Sequence, residues 1–358
     1  MISNPRVSRG IRPGDSPMTL ILNIKDTGSR GRPRISVMLA FVLACCLGSS
    51  AQMAFAQRIE ARDPVVVQVV PGFYMIAGAG GNIAVQTGPD GVLLVNAGSA
   101  EMSDKVIAAI GKVTSQPIRY IINTSADPDN VGGNASLAKA GQAFVANGTG
   151  PAGTAIIVPA TIISTENVLN RVSAPTGKQA AYPVDGWPSE TFFQKEKAMY
   201  LNREGIQIIH QPAAHSDGDA MVFFRRSDVL VAGDIIDMTH FPVIDIEKGG
   251  SIQGEIEALN RVVEMAIPSV PLVWQDGGTF VIPAHGRICD QADIVEYRDM
   301  VTIIRDVVQD MIQRGMTLDQ VQNADPTKPY RRRYGTDTGP WTTRMFVEAV
   351  YKGLTAKK

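Results

Sequence analysis

Short runs of β-branched residues, closed off by glycine and proline and then followed by a helical pattern, occur twice along this chain. The first round holds β-like runs at 65–70, 73–77, 82–87 and 92–95, separated by Pro71-Gly72, Gly78 to Gly81, and Pro89-Asp90-Gly91. Such punctuation predicts an antiparallel meander. A helix is predicted over 100–113, with Val106, Ile107 and Ile110 on one face. A strand at 118–122 leads into a polar loop at 123–134, where Asn134 can cap a helix that begins at Ala135. From 148 to 188 the pattern loosens, with one helix predicted near 165–172. The second round has strands at 198–201, 207–210, 221–224 and 229–231, a helix over 252–266 and a strand at 279–282. A long helix follows over 293–314, with Ile294, Tyr297, Val301, Ile304, Val308 and Met311 spaced by three and four. Trp341, Phe346 and Val350 mark a last helix packed on the core. Two such halves can stack sheet against sheet with helices outside.

The N-terminal 56 residues read differently. Arg30, Arg32 and Arg34 precede an apolar run over 35–47, and small residues lead to Ala54-Phe55-Ala56. A basic flank, a short apolar core and an A-x-A-like end are the marks of a secretory signal peptide. The apolar run is too short for a stable bilayer anchor. The expected organisation is a cleaved leader, 1–56, and a single domain with C-terminal helices, 57–358, in the periplasm or outside the cell. The leader carries seven of the 34 basic and two of the 35 acidic side chains, so the remainder has a net charge of −6. No basic stripe suggests nucleic acid. Cys45 and Cys46 leave with the leader, and Cys289 alone cannot form an intrachain disulfide. No second apolar stretch is long enough to cross a membrane.

Ligand-type side chains gather at strand ends. His215 lies in Ala214-His215-Ser216-Asp217-Gly218-Asp219, Asp234 in Ala232-Gly233-Asp234, and His285 in Pro283-Ala284-His285-Gly286. A fourth loop runs from Asn123 to Asn134 and reads NTSADPDNVGGN. Singly, each histidine has the bland reading of a structural residue. The ordered set of four strand-end loops is more specific.

With GVLLVNAG at 91–98 and IPAHG at 282–286, these stretches resemble the metallo-β-lactamase superfamily over nearly the whole mature chain. The resemblance implies an α+β fold, the four-layer αββα sandwich with a metal cleft at one edge, and a hydrolase of amides, esters, thioesters or phosphoesters. The family's second stretch normally reads N-T-H-x-H-x-D-H-x-G-G-N. Here Ser125, Asp127 and Asn130 stand where its three histidines are expected, and Asn96 stands where an aspartate supports the site. Asp129, His215, Asp234 and His285 match. By resemblance, site one is Ser125, Asp127 and His215, site two is Asp129, Asn130 and His285, and Asp234 bridges them. Ser125 and Asn130 are weak neutral ligands. Asp127, Asp129, His215, Asp234 and His285 are the strong metal candidates.

Loss of three imidazoles removes much of the preference for zinc. A carboxylate-rich set also suits manganese or iron. The expected cofactor is one divalent metal, or none. If one binds, the expected reaction is metal-assisted hydrolysis of a small ester, amide or thioester, with Asp129 orienting the attacking water. The alternative is a pseudoenzyme that uses the same cleft to bind a small-molecule ligand or a partner. Three aspartates in one cleft repel each other unless a cation intervenes, and Arg287 is the sequence candidate for that cation in the absence of metal. His210 has a structural reading on a strand face, His240 is read as a surface-loop residue with cleft lining as the alternative, Cys289 is expected to be buried, and Gly78, Gly80 and Gly81 are read as a hairpin.

Overall fold

The computed structural model describes residues 63–144, 158–177, 179–269 and 277–356. The predicted leader lies outside the described residues. The strands are β1 (Val65–Val70), β2 (Phe73–Ala79), β3 (Gly81–Gly88), β4 (Gly91–Val95), β5 (Ile118–Ile122), β6 (Thr161–Thr165), β7 (Pro175–Thr176), β8 (Gln179–Ala180), β9 (Glu190–Phe192), β10 (Glu196–Leu201), β11 (Glu204–Gln211), β12 (Asp219–Phe224), β13 (Val229–Asp237) and β14 (Phe280–His285). The helices are α1 (Ser103–Val113), α2 (Pro128–Val131), α3 (Asn134–Ala140), α4 (Glu166–Val172), α5 (Ile252–Met265), α6 (Gln291–Gln313), α7 (Leu318–Ala324), α8 (Arg331–Tyr334) and α9 (Thr343–Thr355).

Two sheets form the centre of an α+β sandwich. The first has the order β1-β2-β3-β4-β5-β6-β9, and the second β10-β11-β12-β13-β14. In the first, β1 to β4 form the predicted antiparallel meander, and β5, β6 and β9 then add in parallel. In the second, only the β13–β14 pair is parallel. Parallel strands need a crossover, which puts helices on a sheet face and buries both sides of the strand. Accordingly all five residues of β4 are buried.

Three apolar clusters fill the spaces between four layers. Leu93, Val95 and Ile122 of the first sheet meet Ile206, Ile208, Val222 and Val231 of the second. Leu94, Val85 and Ile121 face outward onto Val106, Ile110 and Leu137 of α1 and α3. Leu230, Met221 and Val281 face the other way onto Leu259, Val262, Val301 and Ile304 of α5 and α6. Each fully buried aliphatic chain contributes about 1.5–3 kcal/mol, so the alternation Leu93-Leu94 fixes the strand register between two cores.

Four local expectations need correction. A short 3-10 turn, Ala100–Met102, precedes α1. Asn134 does not cap α3: it is the first helical residue, Gly133 precedes it, and its amide is used elsewhere. Thr165 caps α4 by accepting from Val168 N, so the helix begins one residue later than predicted. The loose region hides β6, and β9 just beyond it was not predicted either; both are short strands completed by neighbours elsewhere in the chain. The glycines near 80 do form the predicted β2–β3 hairpin.

Candidate metal centre

The candidate residues follow the ends of β5 and β11, lie within β13, or close β14. β13 runs on through Asp234 to Asp237, and His285 is the last residue of β14, so both are held by sheet rather than loop. Asn82 Nδ2 donates to Pro283 O (2.9 Å) and Gly286 O (3.0 Å), lacing the end of β14 to the first sheet. Behind the loop after β5, Asn96 adopts φ +69° and its Oδ1 accepts from Thr124 N (2.9 Å) and Thr124 Oγ1 (3.0 Å). The substitution of asparagine for the family aspartate keeps this acceptor and leaves the buried Asn96 Nδ2 unpartnered. Asn123 and Asn134 exchange amide hydrogen bonds of 3.0 and 2.9 Å, which fixes the loop's two ends.

Asp127, His215 and Asp234 each present a ligand atom, and these atoms lie within 4.8 Å of one another. His215 is buried, and its Nδ1 donates to Val243 O at 2.9 Å, which aims Nε2 into the site. That Nε2 lies 3.1 Å from Asp127 Oδ2 but off the line of a hydrogen bond, so it is a buried nitrogen without an aligned partner. Burial opposes charge on Asp127, yet the neighbouring His215 and Lys248 outweigh it and hold the carboxyl at about 2. Burial raises Asp234 to about 6. Burial disfavours charge on His215 too, but Asp127, Asp219 and Asp234 raise its pKa well above the usual imidazole value.

Beside this trio, His285 Nε2 lies 2.9 Å from Asp129 Oδ2. The hydrogen bond to Asp129, against opposing burial, raises His285 to about 9. Asp129 packs over the β2–β3 turn: a Cβ on Gly80, which has φ +99°, would stand 3.0 Å from Asp129 Cβ. Ser125 and Asn130 are engaged as struts. Asn130 Nδ2 donates to Ser125 Oγ (2.8 Å) and to Asp234 Oδ2 (2.6 Å), and Ser125 Oγ also accepts from Asp127 N (3.1 Å). Asn130 thus steadies Asp234 with a donor, where the family pattern has a histidine ligand.

Two features differ from the sequence reading. Arg287 does not enter the site; its guanidinium pairs with Asp293, which also closes the capping box of α6. The cation at the site is Lys248, 3.5 Å from Asp127 Oδ1 and 2.7 Å from Asp245 Oδ2. Lys248 ends a one-turn helix outside every matched motif, so no pattern pointed to it. Tyr182 was missed as well. Like Ala126, it packs against the cluster of Val131, Val168 and Val172, and burial followed by the charges of Asp127 and Asp129 raises its hydroxyl pKa. His240 is paired with Asp237 at 3.0 Å, and its ring centroid lies 6.2 Å from that of His285. His210 Nε2 is bonded to Asp217 O as a structural residue. Cys289 is buried, and burial pushes its thiol up to about 12.

No curated protein matches the chain in sequence. Among solved structures, it is similar to a metallo-beta-lactamase from Pontibacter korlensis at 14% identity and TM-score 0.49, covering 67% of this chain and 99% of that one. A double mutant of the sec-alkyl sulfatase PisA1 overlays at 11% identity and TM-score 0.55, and the stereoselective inverting sec-alkylsulfatase Pisa1 from Pseudomonas sp. at 12% and 0.53. Each covers 81% of this chain, which spans 50% of the sulfatase chain. At these identities the likeness concerns fold alone. A family model reaches further, matching residues 77–268, a span that holds Asp127, Asp129, His215 and Asp234 and stops short of His285. The chain belongs to the metallo-beta-lactamase superfamily.

Proposed function

We propose that the protein is a metal-assisted hydrolase of a small ester, amide or thioester, with one divalent cation held by Asp127, His215 and Asp234. The observation that carries this reading is the convergence of those three ligand atoms within 4.8 Å. The donors fit a single ion. Two carboxylates bring the charge, and the unaligned Nε2 of a buried histidine would bring a lone pair once an ion displaces its proton. One imidazole and two carboxylates favour manganese or ferrous iron as much as zinc. A second ion finds no comparable set among the described residues, since Asn130 turns its donor toward Asp234 and Asp129 is paired with His285.

A bound cation supplies positive charge that polarises the scissile carbonyl and eases the ionisation of water. The chain's own groups do the rest. Val243 O and Asn130 Nδ2 fix the orientation of His215 and Asp234. Asp129 would accept a proton from the attacking water, and protonated His285 beside it would hold the carboxylate in position. A precursor carrying residues 1–56 as an export signal would deliver this activity to the periplasm or medium.

Dialysis of purified protein against manganese, iron or zinc separately, followed by metal analysis, tests the reading. Uptake near one ion per chain, with matched hydrolysis of a panel of small esters and thioesters, is expected. Stoichiometry near zero for all three metals removes it.

A second reading is favoured by Lys248. With Asp127 paired to Lys248 and His215, and Asp129 to His285, the carboxylates are compensated without an ion. On that reading the protein is a pseudoenzyme that binds a small molecule or partner in the cleft. Restoration of histidine at Ser125, Asp127 and Asn130 together separates the two. Zinc uptake and esterase activity that appear only in the triple variant favour the pseudoenzyme.

A further inference from the structure

At the end of the sandwich opposite Asp127, four tight turns wall an open cleft of ≈ 540 Å³. The β1–β2 and β3–β4 turns of the first sheet form one side, and the β10–β11 and β12–β13 turns of the second form the other. The two sides are locked together. Asn202 Nδ2 donates to Gln86 Oε1 (3.0 Å) and Gly91 O (3.0 Å), its Oδ1 accepts from Asp90 N (2.8 Å), and its backbone N donates to Asp90 Oδ2 (2.7 Å). A cleft fixed in this way loses little freedom when a ligand enters.

Its lining is cationic. Arg203 and Arg226 both line it, both are exposed, and neither has a carboxylate partner among the described residues. Glu204 is the acidic side chain of the lining, and its oxygens are taken up by the next turn. It accepts from Arg226 N, from Ser227 N (3.2 Å) and from Ser227 Oγ (2.6 Å). Asp90, just outside the lining, is held by the Asn202 backbone.

The backbone at Arg203 gives a separate indication. Asn202 has φ +55° and Arg203 φ +62°, the left-handed pair of a two-residue hairpin turn. The second position of such a turn favours glycine. Arginine there holds the chain in a disfavoured conformation, and strain of this kind is retained where the side chain has a use.

We propose that this cleft binds a small phosphorylated molecule whose oxyanion is gripped by Arg203 and Arg226. Each guanidinium presents paired N–H donors that match a phosphate edge. The concave walls and the cavity volume suit a free small molecule, within the usual range for such pockets. The site shares no residue with the candidate metal centre, so the two stand or fall separately.

Calorimetric titration of metal-free protein with pyrophosphate, at constant ionic strength, tests the proposal. Saturable binding of one pyrophosphate per chain is expected. R203G removes the guanidinium and puts the favoured residue into the turn, so its melting temperature should equal or exceed that of the parent while affinity falls at least about tenfold. R226A should weaken binding similarly, R203K less, and D127N not at all. Absence of saturable binding, unchanged affinity in R203G, or loss of binding in D127N would overturn the assignment. Binding to phosphatidate vesicles without binding to soluble pyrophosphate would overturn it too.

Discussion

The two halves of the candidate metal centre have met the loss of histidine in opposite ways. In the first half, Asp127 stands at a histidine position and still points an anionic ligand atom at His215 and Asp234. In the second, Asn130 stands at a histidine position and has become a donor to Asp234 and Ser125, while Asp129 and His285 have closed on each other. A carboxylate can replace imidazole as a ligand because it keeps a lone pair aimed at the ion. An amide that turns its N–H₂ inward cannot. On the hydrolase reading proposed above, the first substitution would change the preferred metal; the second would remove a binding position, and it braces Asp234.

The comparison breaks first at Asp127. D127N should reduce metal affinity by about 100-fold or more, a loss at least as large as that of a well-placed outer-shell partner. The check is competition with a chromogenic chelator. If D127N retains full affinity while D129N loses it, the roles of the halves are reversed. The opposite change, N130H, should return a ligand to the second half and raise uptake toward two ions per chain, read by metal analysis. Uptake that stays at one would mean that the Asp129–His285 pair does not open.

Gly80 is the next test. Alanine there meets Asp129 and Ser99 at 3.0–3.2 Å and must hold φ +99°. A destabilisation of about 1–3 kcal/mol is expected from the backbone strain, measured by urea denaturation, together with a shifted His285 resonance. In metal-free protein, His285 should titrate near 9 by NMR, and D129N should lower that value. The sign follows from the upward shift. The stability this pair contributes is fully present below the unfolded-state value near 6.5 and is lost as pH rises through about 9. A His285 that titrates near 6.5 in the parent would show that the pair does not form. The smallest effect belongs to Lys248, a partly exposed cation. K248M should change metal-free stability by no more than about 1 kcal/mol and raise metal affinity a few-fold, since one competing charge is gone.

Much of this was legible from residue order, for reasons that differ by element. The meander of β1 to β4 was readable because glycine and proline close off its β-branched runs, and the long α6 because a three-four spacing repeats enough to define a face. β6 and β9 were not. They are five and three residues long, and their partners are supplied by chain folded elsewhere. At the site, motif position located Asp127, Asp129, His215, Asp234 and His285, but it could not say how they pair. Arg287 looked available because it lies two residues from His285. Asp293, six residues further on, claims it through the start of α6. Lys248 could not be found by motif, because its approach to Asp127 depends on the Asp245 turn and the fold that brings that turn to β5.

The imidazole of His215 takes its aim from a main-chain oxygen, that of Val243. Any amino acid at 243 that keeps the local path offers the same oxygen, so saturation mutagenesis there should be largely silent. Deleting a single residue between 240 and 247 should be far more damaging, because it would carry that oxygen away from the ring. For this histidine, the length of the neighbouring segment matters more than its spelling.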